Sequence, residues 1–555
     1  MGVPRFFLWL VKKYKKDKFI LNSNQVSDVD SLLIDTNCLL HPQCFKILAE
    51  NPTIKNQEHL ENMMVEECIK YLQYIIDFVN PSKEIYIAID GVAPIAKIKQ
   101  QRQRRFKSVH DKVLFDNIKK KHKKEITTYW NNAAISPGTV FMKKITVAII
   151  EFCKNYENKK KIYFSSASTP GEGEHKLLQH IRKANNKYKY VVYGLDADLI
   201  FLSLTVDTNS IFLLRESQEL RSDNKTPLSY ICIDTLKSCI VNEVKTSLYD
   251  EFIERELEDE RVIKDFIFIC YFLGNDFLPH IPSIDISCFD RSNINGLDLL
   301  LQAYCNTYDN LDDYLVCVDS NISYNLEFMQ MFLEYLSLFE EDFFSKLYES
   351  KRYHKKLQSN DSFEIEKYKI ENLNFRIEND INLGMDDSKS YKYRYYKKYY
   401  NADVNQHQTV KHSCFKYIEG LIWVAKYYFN ECSSWEWCYP FDHAPFISDL
   451  ADSFKRFNIN DIKFNLGKPL NQKEQLLCIL PPQSNYLLPP DMKWLTNSSK
   501  SPLAHLYPIK FEIDLLYKDK YWQGIPILPD LDIETVKKTC KNYKEITNDK
   551  ILVFN

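Results

Sequence analysis

Five short apolar runs punctuate the first half of the chain: SLLIDT (31–36), EIYIAID (84–90), KIYFSSA (161–167), YVVYGLD (190–196) and SIFLLRE (210–216). Stretches of helical character separate them. Continuous apolar runs of this length read as strands buried on both faces, and their alternation with helices predicts an α/β fold, a parallel sheet covered by helices. In open sheets of this kind, ligands bind beyond the carboxyl ends of the strands. Asp35, Asp90 and Asp196 each fall at such an end, so strand continuity alone brings three carboxylates to one rim. Residues 311–410 change character, as in SKSYKYRYYKKYYNADVNQ, and read as a variable connector with some helix. Order resumes over 411–555 with a helix at 415–429 (FKYIEGLIWVAKYYF), followed by Pro- and Trp-rich loops and short strands. The expected organisation is therefore 1–310, 311–410 and 411–555, without internal repeats or coiled-coil heptads.

At 555 residues the chain exceeds what one core usually supports, so two lobes are expected. No apolar run is long enough to cross a membrane. In MGVPRFFLWLVKKYKK the apolar stretch precedes the positive charges, the reverse of a secretion signal, and Phe6 breaks the myristoylation pattern. Fifteen cysteines without CxxC pairs read as reduced thiols of a cytosolic-type compartment rather than a disulfide framework or a zinc site. Abundant Lys, Asn, Ile, Tyr and Phe suggest an AT-rich genome, such as that of a large DNA virus. The net charge of −2 does not advertise nucleic acid, but its distribution does. KIKQQRQRRFK (97–107) holds six cations and no acid, KKKHKK (119–124) and KKYKKDK (12–18) add more, and acids concentrate elsewhere, as in EFIERELEDE (251–260). Local basic patches beside an acidic cluster suit a phosphodiester substrate. KKKHKK also has the composition of a nuclear import signal, which sets the nucleus beside the cytoplasm as a compartment.

Seven acids complete the picture: Asp35 (LLIDTN), Asp90 (IAIDG), Glu172 and Glu174 (PGEGE), Asp196 and Asp198 (GLDAD) and Asp276 (GNDFLP). Most end an apolar stretch, where a charge is costly unless offset, and clustered carboxylates raise one another's pKa values. Divalent cations remove that penalty, and hard oxygen ligands select Mg²⁺ or Mn²⁺ over zinc. Taken singly, each motif has a bland alternative: surface acids, helix N-caps, or, at Asp276, a buried turn cap. Five such motifs at the ends of buried elements favour the metal cluster. In AIDGVAPIAKIKQQRQRRF, Pro94 suits a first helical turn, and a helix from there puts Lys97, Gln101, Arg104 and Arg105 on one face. The bland alternative is a solvated basic face. Its start seven residues after a candidate metal ligand favours phosphate binding, for which Arg supplies planar bidentate donors.

MGVPRFFLWL, IDTNCLLHP, IDGVAPIAKIKQQRQRRF, SPGTVFM, PGEGEHK, YGLDADLI and LGNDFLPHIP, in this order, resemble the Xrn family of 5′→3′ exoribonucleases. YIEGLIWVAKYYF, SWEWCYPFDHAP and YPIKFEIDLLYKDKYWQGIPILP resemble that family's second segment. The resemblance implies a PIN/flap-nuclease-like core with the second segment packed on it as a lid, in a compact monomeric member without a long C-terminal extension. It assigns Asp35, Asp90, Glu172, Glu174, Asp196, Asp198 and Asp276 to two Mg²⁺ ions, with Mn²⁺ as a substitute. It assigns Lys97, Gln101, Arg104 and Arg105 to a 5′-monophosphate pocket. His41 would stack on the first base, opposite Trp435 or Trp437. Ile95 and Val140 depart from the family's usual residues, near its RNA contacts and not at its metal ligands. The implied activity is processive, two-metal hydrolysis of single-stranded 5′-monophosphate RNA to nucleoside 5′-monophosphates, in RNA turnover downstream of a decapping enzyme. The rivals are a DNA flap endonuclease, for which no helix–hairpin–helix signature is present, a catalytically inactive RNA binder, and an enzyme of RNA–DNA hybrids or primers.

Overall fold

The computed structural model describes residues 3, 5–126, 130–156, 160–184, 187–207, 210–216, 227–248, 256–286, 295–318, 321–350, 357–373, 381–384, 390–402, 406–516, 518, 520–543 and 551–554. Residues 251–255 of the acidic run, 388–389 and 403–405 of the Tyr-rich stretch, and 517 and 519 of the last motif lie outside them. The chain forms two compact units, one of residues 18–234, 467–513 and 526–555, the other of residues 1–17, 235–466 and 514–525.

The first unit is built on an eight-stranded sheet. Its strands are β1 (Ile20–Leu21), β2 (Ser31–Asp35), β3 (Glu84–Ala88), β4 (Lys161–Ser165), β5 (Tyr190–Tyr193), β6 (Ile211–Glu216), β7 (Leu228–Cys232) and a C-terminal strand, Leu552–Phe554. The order is β1-β7-β6-β5-β2-β3-β4 with the C-terminal strand at the far edge. From β6 to β4 every pairing is parallel. Strands β2, β3 and β5 are buried along their whole length, which is why they read as unbroken apolar runs. The edges depart from the expected parallel sheet: β7 pairs antiparallel with β6 and with β1, and the C-terminal strand pairs antiparallel with β4. Two of these additions, β1 and the C-terminal strand, are only two and three residues long, too short to leave a periodic signal.

Strand β2 is hydrogen-bonded to β3 on one side and to β5 on the other. The chain therefore builds one half of the sheet outward from β2, then returns to β5 and builds the other half. A crevice forms at the carboxyl ends where the order reverses.

The expected boundary at 411 is not the boundary between units. Residues 467–513 pack within the sheet unit, where the helix Gln472–Ile479 lies along the helix Ile95–Lys121. Gln475 accepts the Ala93 backbone N–H at 3.0 Å, and Gln472 donates to the Ala167 carbonyl at 2.8 Å. Arg102 is 2% exposed and donates to the carbonyls of Cys478, at 3.1 Å, and Leu506. Part of the second segment thus supports the loops that follow β3 and β4.

In the other unit the apolar start of the chain is a core helix, Phe6–Tyr14; Phe6 packs on Phe266 and the Trp9 indole N–H donates to Asp298 at 3.3 Å. The stretch expected as a connector contributes the helices Leu326–Ser337, Glu340–Ser350, Ser362–Glu371 and Ser390–Tyr400. In the last of these, Tyr391, Tyr395, Tyr396 and Tyr400 are buried on one face, and their hydroxyls at 395, 396 and 400 donate to the Ala444 carbonyl, Asp449 and the His443 carbonyl. The helix expected at 415–429 begins earlier, spanning Gln406–Phe429. No helix among the described residues is long and apolar enough to cross a membrane.

Candidate active site

Asp35 ends β2 and caps the helix Thr36–Glu50. One of its carboxylate oxygens accepts the Asn37 N–H at 3.2 Å and the other accepts the Cys38 thiol at 3.0 Å. The N-cap alternative is thus realised at Asp35, together with further contacts. Asp90, two residues past β3, accepts the Asn37 side-chain amide and the Gly173 N–H, each at 2.5 Å. Glu172 caps the helix Gly173–Lys183 and Glu174 lies in its first turn, where the helix dipole favours negative charge. A methyl group on Gly173 would come within 2.9 Å of Asp35 Oδ1 and 3.2 Å of Asp90 Oδ1, so only glycine lets this turn sit against the ends of β2 and β3. Asp196 follows β5, and Asp198 opens the short helix Asp198–Leu204.

Electrostatics tie these six acids into one cluster. Burial, then the Asp90 and Asp196 charges, push Asp35 up to about 8. Burial and Glu172 push Asp90 up to about 6. Burial, with Asp198, Asp196 and Glu172, drives Glu174 well above the usual carboxylate range. Asp276 lies in the other unit, buried in the loop after the turn Tyr271–Leu273.

The residues present fit a divalent cation. The donors are hard oxygens, and Glu174 Oε2 is buried without a hydrogen-bond partner among the described residues. Glu172, Glu174 and His175 also bring three ligand atoms within 4.8 Å of one another.

The basic face borders this cluster. Lys97, 8% exposed, forms an ion pair with Glu172 at 2.5 Å. Gln101 and Arg105 are half-buried and Arg104 is exposed. Arg105 Nη1, a donor, and Gln101 Oε1, an acceptor, are buried without hydrogen-bond partners among the described residues. Burial and the neighbouring Arg104 lower Arg105 to about 9. His41, half-buried and stacked on Phe45, is lowered to about 4 by burial and by Arg104 and Arg105, with Asp196 opposing. It is therefore neutral at pH 7, a stacking surface rather than a cation.

The two candidate tryptophans differ. Trp437 stacks on Trp423 at 5.1 Å and donates its indole N–H to Glu419 at 2.9 Å. Trp435 is half-buried, and its indole has no ring partner or hydrogen bond among the described residues.

Sequence reasoning missed the residues that hold the acids. Asn37 and Cys38 stand in the same motif as Asp35 and carry no charge to draw notice. Lys176, buried and lowered to about 7 mainly by burial, donates to the carbonyls of Ile89 at 2.8 Å and Ser166 at 3.2 Å.

A buried sheet whose order reverses beneath clustered carboxylates, beside cations with unsatisfied donors, defines a metal-dependent hydrolase of phosphate esters. Comparison with known proteins narrows this class. A model of the XRN 5′-3′ exonuclease N-terminus matches residues 1–217, and one of the Xrn1 helical domain matches 256–387 and 371–551. The chain is 27% identical to 5′-3′ exoribonuclease 2 of Debaryomyces hansenii over 99% of its length and 71% of that protein. It is 27% identical to 5′-3′ exoribonuclease 2 of Candida albicans, over 99% of the chain and 73% of the relative. It is 30% identical to human 5′-3′ exoribonuclease 1, over 96% of the chain and 33% of the relative. The chain belongs to the Xrn family of 5′→3′ exoribonucleases, and the family implies divalent-metal dependence.

The raised carboxyl pKa values predict proton release on metal binding. Asp35 and Asp90 bind protons more tightly folded than unfolded, where an Asp sits near about 3.9. Their contribution to stability is full below that value and is lost as pH rises through about 6 and about 8. Metal binding replaces those protons. The melting-temperature gap between Mg²⁺ and EDTA samples should therefore widen from pH 6 to 8. Calorimetric titration of Mg²⁺ at pH 7, in buffers of different ionisation enthalpy, should show net proton release. Buffer-independent heats would contradict this account.

Proposed function

We propose that the chain is a processive, Mg²⁺-dependent 5′→3′ exoribonuclease acting on single-stranded RNA with a 5′-monophosphate. The observation that carries this reading is the adjacency, in one unit, of the buried acid cluster, the unsatisfied Arg105 donor of the Ile95–Lys121 helix, and neutral His41. Asp35, Asp90, Glu172, Glu174, Asp196 and Asp198 would hold two Mg²⁺ ions, or Mn²⁺ in their place. When bound, the ions would neutralise the scissile phosphate and lower the pKa of the attacking water.

Arg104, Arg105, Gln101 and Lys97 bind the terminal phosphate, and Arg105 supplies a buried donor that water reaches poorly. A triphosphate or cap is larger than a site matched to one phosphate group. His41 grips the first base through its ring face. Stacking reads no base identity, so degradation is independent of sequence. Water attacks the phosphorus between the first and second nucleotides, the P–O3′ bond breaks, and the 3′-oxygen leaves as a hydroxyl. The shortened RNA carries a new 5′-monophosphate, which is again a ligand for the same basic pocket; this is the chemical basis for processivity. A reaction that converts capped ends to monophosphates must supply the substrate, and we place this chemistry in the cytoplasm.

The test is degradation of one labelled RNA prepared with 5′-monophosphate, triphosphate, cap or hydroxyl, in Mg²⁺ or EDTA, beside a flap DNA. Consumption of the monophosphate RNA alone, from its 5′ end and only with Mg²⁺, is the expected result. Internal nicking of the flap DNA, or RNA binding without cleavage, would replace this reading with the endonuclease or the inactive binder.

A further inference from the structure

The acid cluster draws its ligands from separate strand ends, and something must hold those ends in register. Asp35 lies at the end of β2, and Asp196 in the loop after β5. Between them stands Cys38. Its thiol donates to Asp35 Oδ2 at 3.0 Å, and its sulfur accepts the backbone N–H of Leu195 at 3.2 Å. The carbonyl of Leu195 accepts the guanidinium of Arg215, a residue of β6 that is 4% exposed. The two peptide groups that flank Leu195 are thus each held: the first at its N–H by Cys38, the second, which leads into Asp196, at its carbonyl by Arg215. Gly194 completes the fit: a methyl group there would meet Leu199 at 2.5 Å, so the loop turns tightly enough for Leu195 to reach the sulfur.

We propose that Cys38 is a positioning residue for divalent-ion binding, coupling the Asp35 carboxylate to the Asp196 loop through the backbone of Leu195, whose carbonyl Arg215 also holds. The proposal rests on the reading of the acids as metal ligands. A thiol suits the task because it both donates and accepts. Cys38 reaches the ion only through Asp35 and Asp196, so its loss should weaken affinity rather than the chemistry at saturation. Groups that orient metal ligands typically change affinity by about 10–100-fold when removed.

The experiment measures Mn²⁺ affinity directly, by the free-ion electron paramagnetic resonance signal, in the full chain. Wild type is compared with Cys38→Ser, which keeps a donor and an acceptor, and with Cys38→Ala and Cys38→Val, which keep neither. Val fills the thiol's volume, so a folded variant without the hydrogen bonds is available if Ala fails to fold. Thermal melting in EDTA checks the fold of each variant. We expect a Kd for Mn²⁺ raised about 10-fold or more in Ala and Val and within about 2-fold of wild type in Ser. Turnover of 5′-monophosphate RNA should shift its Mn²⁺ midpoint in parallel and recover at saturating ion. An unchanged Kd in the folded Ala or Val variant overturns the proposal, as does a Ser variant weakened as much as Val. Absence of Mn²⁺ binding by wild type would overturn the metal-site reading itself, and this proposal with it.

Discussion

Glu174→Gln should sharply slow RNA hydrolysis and at the same time raise the melting temperature of the metal-free protein. Glu174 lies in the crowded centre of the acid cluster: it is buried, it faces the charges of Asp198, Asp196 and Glu172, and its Oε2 has no hydrogen-bond partner among the described residues. Without a cation its carboxyl is held protonated, and that cost grows as pH rises. The amide has nearly the same shape and never ionises. A gain of about 1 kcal/mol, or about 2–4 °C in a unit of this size, is expected in EDTA, increasing from pH 6 to 9. The same change removes an anionic ligand, and a loss of about 10³-fold in kcat, equivalent to about 4 kcal/mol, should follow. Melting scans in EDTA and single-turnover assays in Mg²⁺ measure the two effects. Stability and activity falling together would mean that Glu174 is an ordinary structural acid.

Arg105→Met should cost about 10–100-fold in kcat/KM on RNA with a 5′-monophosphate and at most about threefold on the same RNA with a 5′-hydroxyl. Hydrogen bonds to charged groups contribute about 1.5–3 kcal/mol, which sets the first figure. Arg105 Nη1 is buried without a partner among the described residues, and burial beside Arg104 lowers its pKa to about 9. A phosphate repays that desolvation, and a hydroxyl does not. Methionine keeps the apolar stem and discards the charge. Steady-state kinetics on the two RNAs give the difference directly, and equal losses on both would assign Arg105 to general RNA contact or to folding.

Much of the site was legible in the sequence because buried carboxylates at strand ends are conspicuous. SLLID, EIYIA and YVVY lie in the middle of the sheet, and Asp35, Asp90 and Asp196 at their ends point to one rim. The Tyr-rich stretch misled because lysines interleave the tyrosines. Its burial pattern, at 391, 395, 396 and 400, is helical, and the phenols at 395, 396 and 400 combine an apolar ring with a hydroxyl that finds a partner. The six cations of 97–107 look alike in sequence. Tertiary contacts separate them: Arg102 turns inward to carbonyls 376 and 404 residues away, while Arg104 is exposed. The split of the second segment between two units was equally hidden, because the partners of Gln475 and Gln472 are a backbone N–H and a backbone carbonyl, which carry no sequence signature.

The sheet unit is discontinuous: its last strand, Leu552–Phe554, pairs with β4, and the support for its helix Ile95–Lys121 comes from residues 472–506. Synthesis proceeds from the N-terminus at about 5–20 residues per second. On the ribosome, all six acids of the sheet unit emerge more than 250 residues before the segment that buttresses Arg102. The nuclease core of a nascent chain therefore lacks its bracing for tens of seconds.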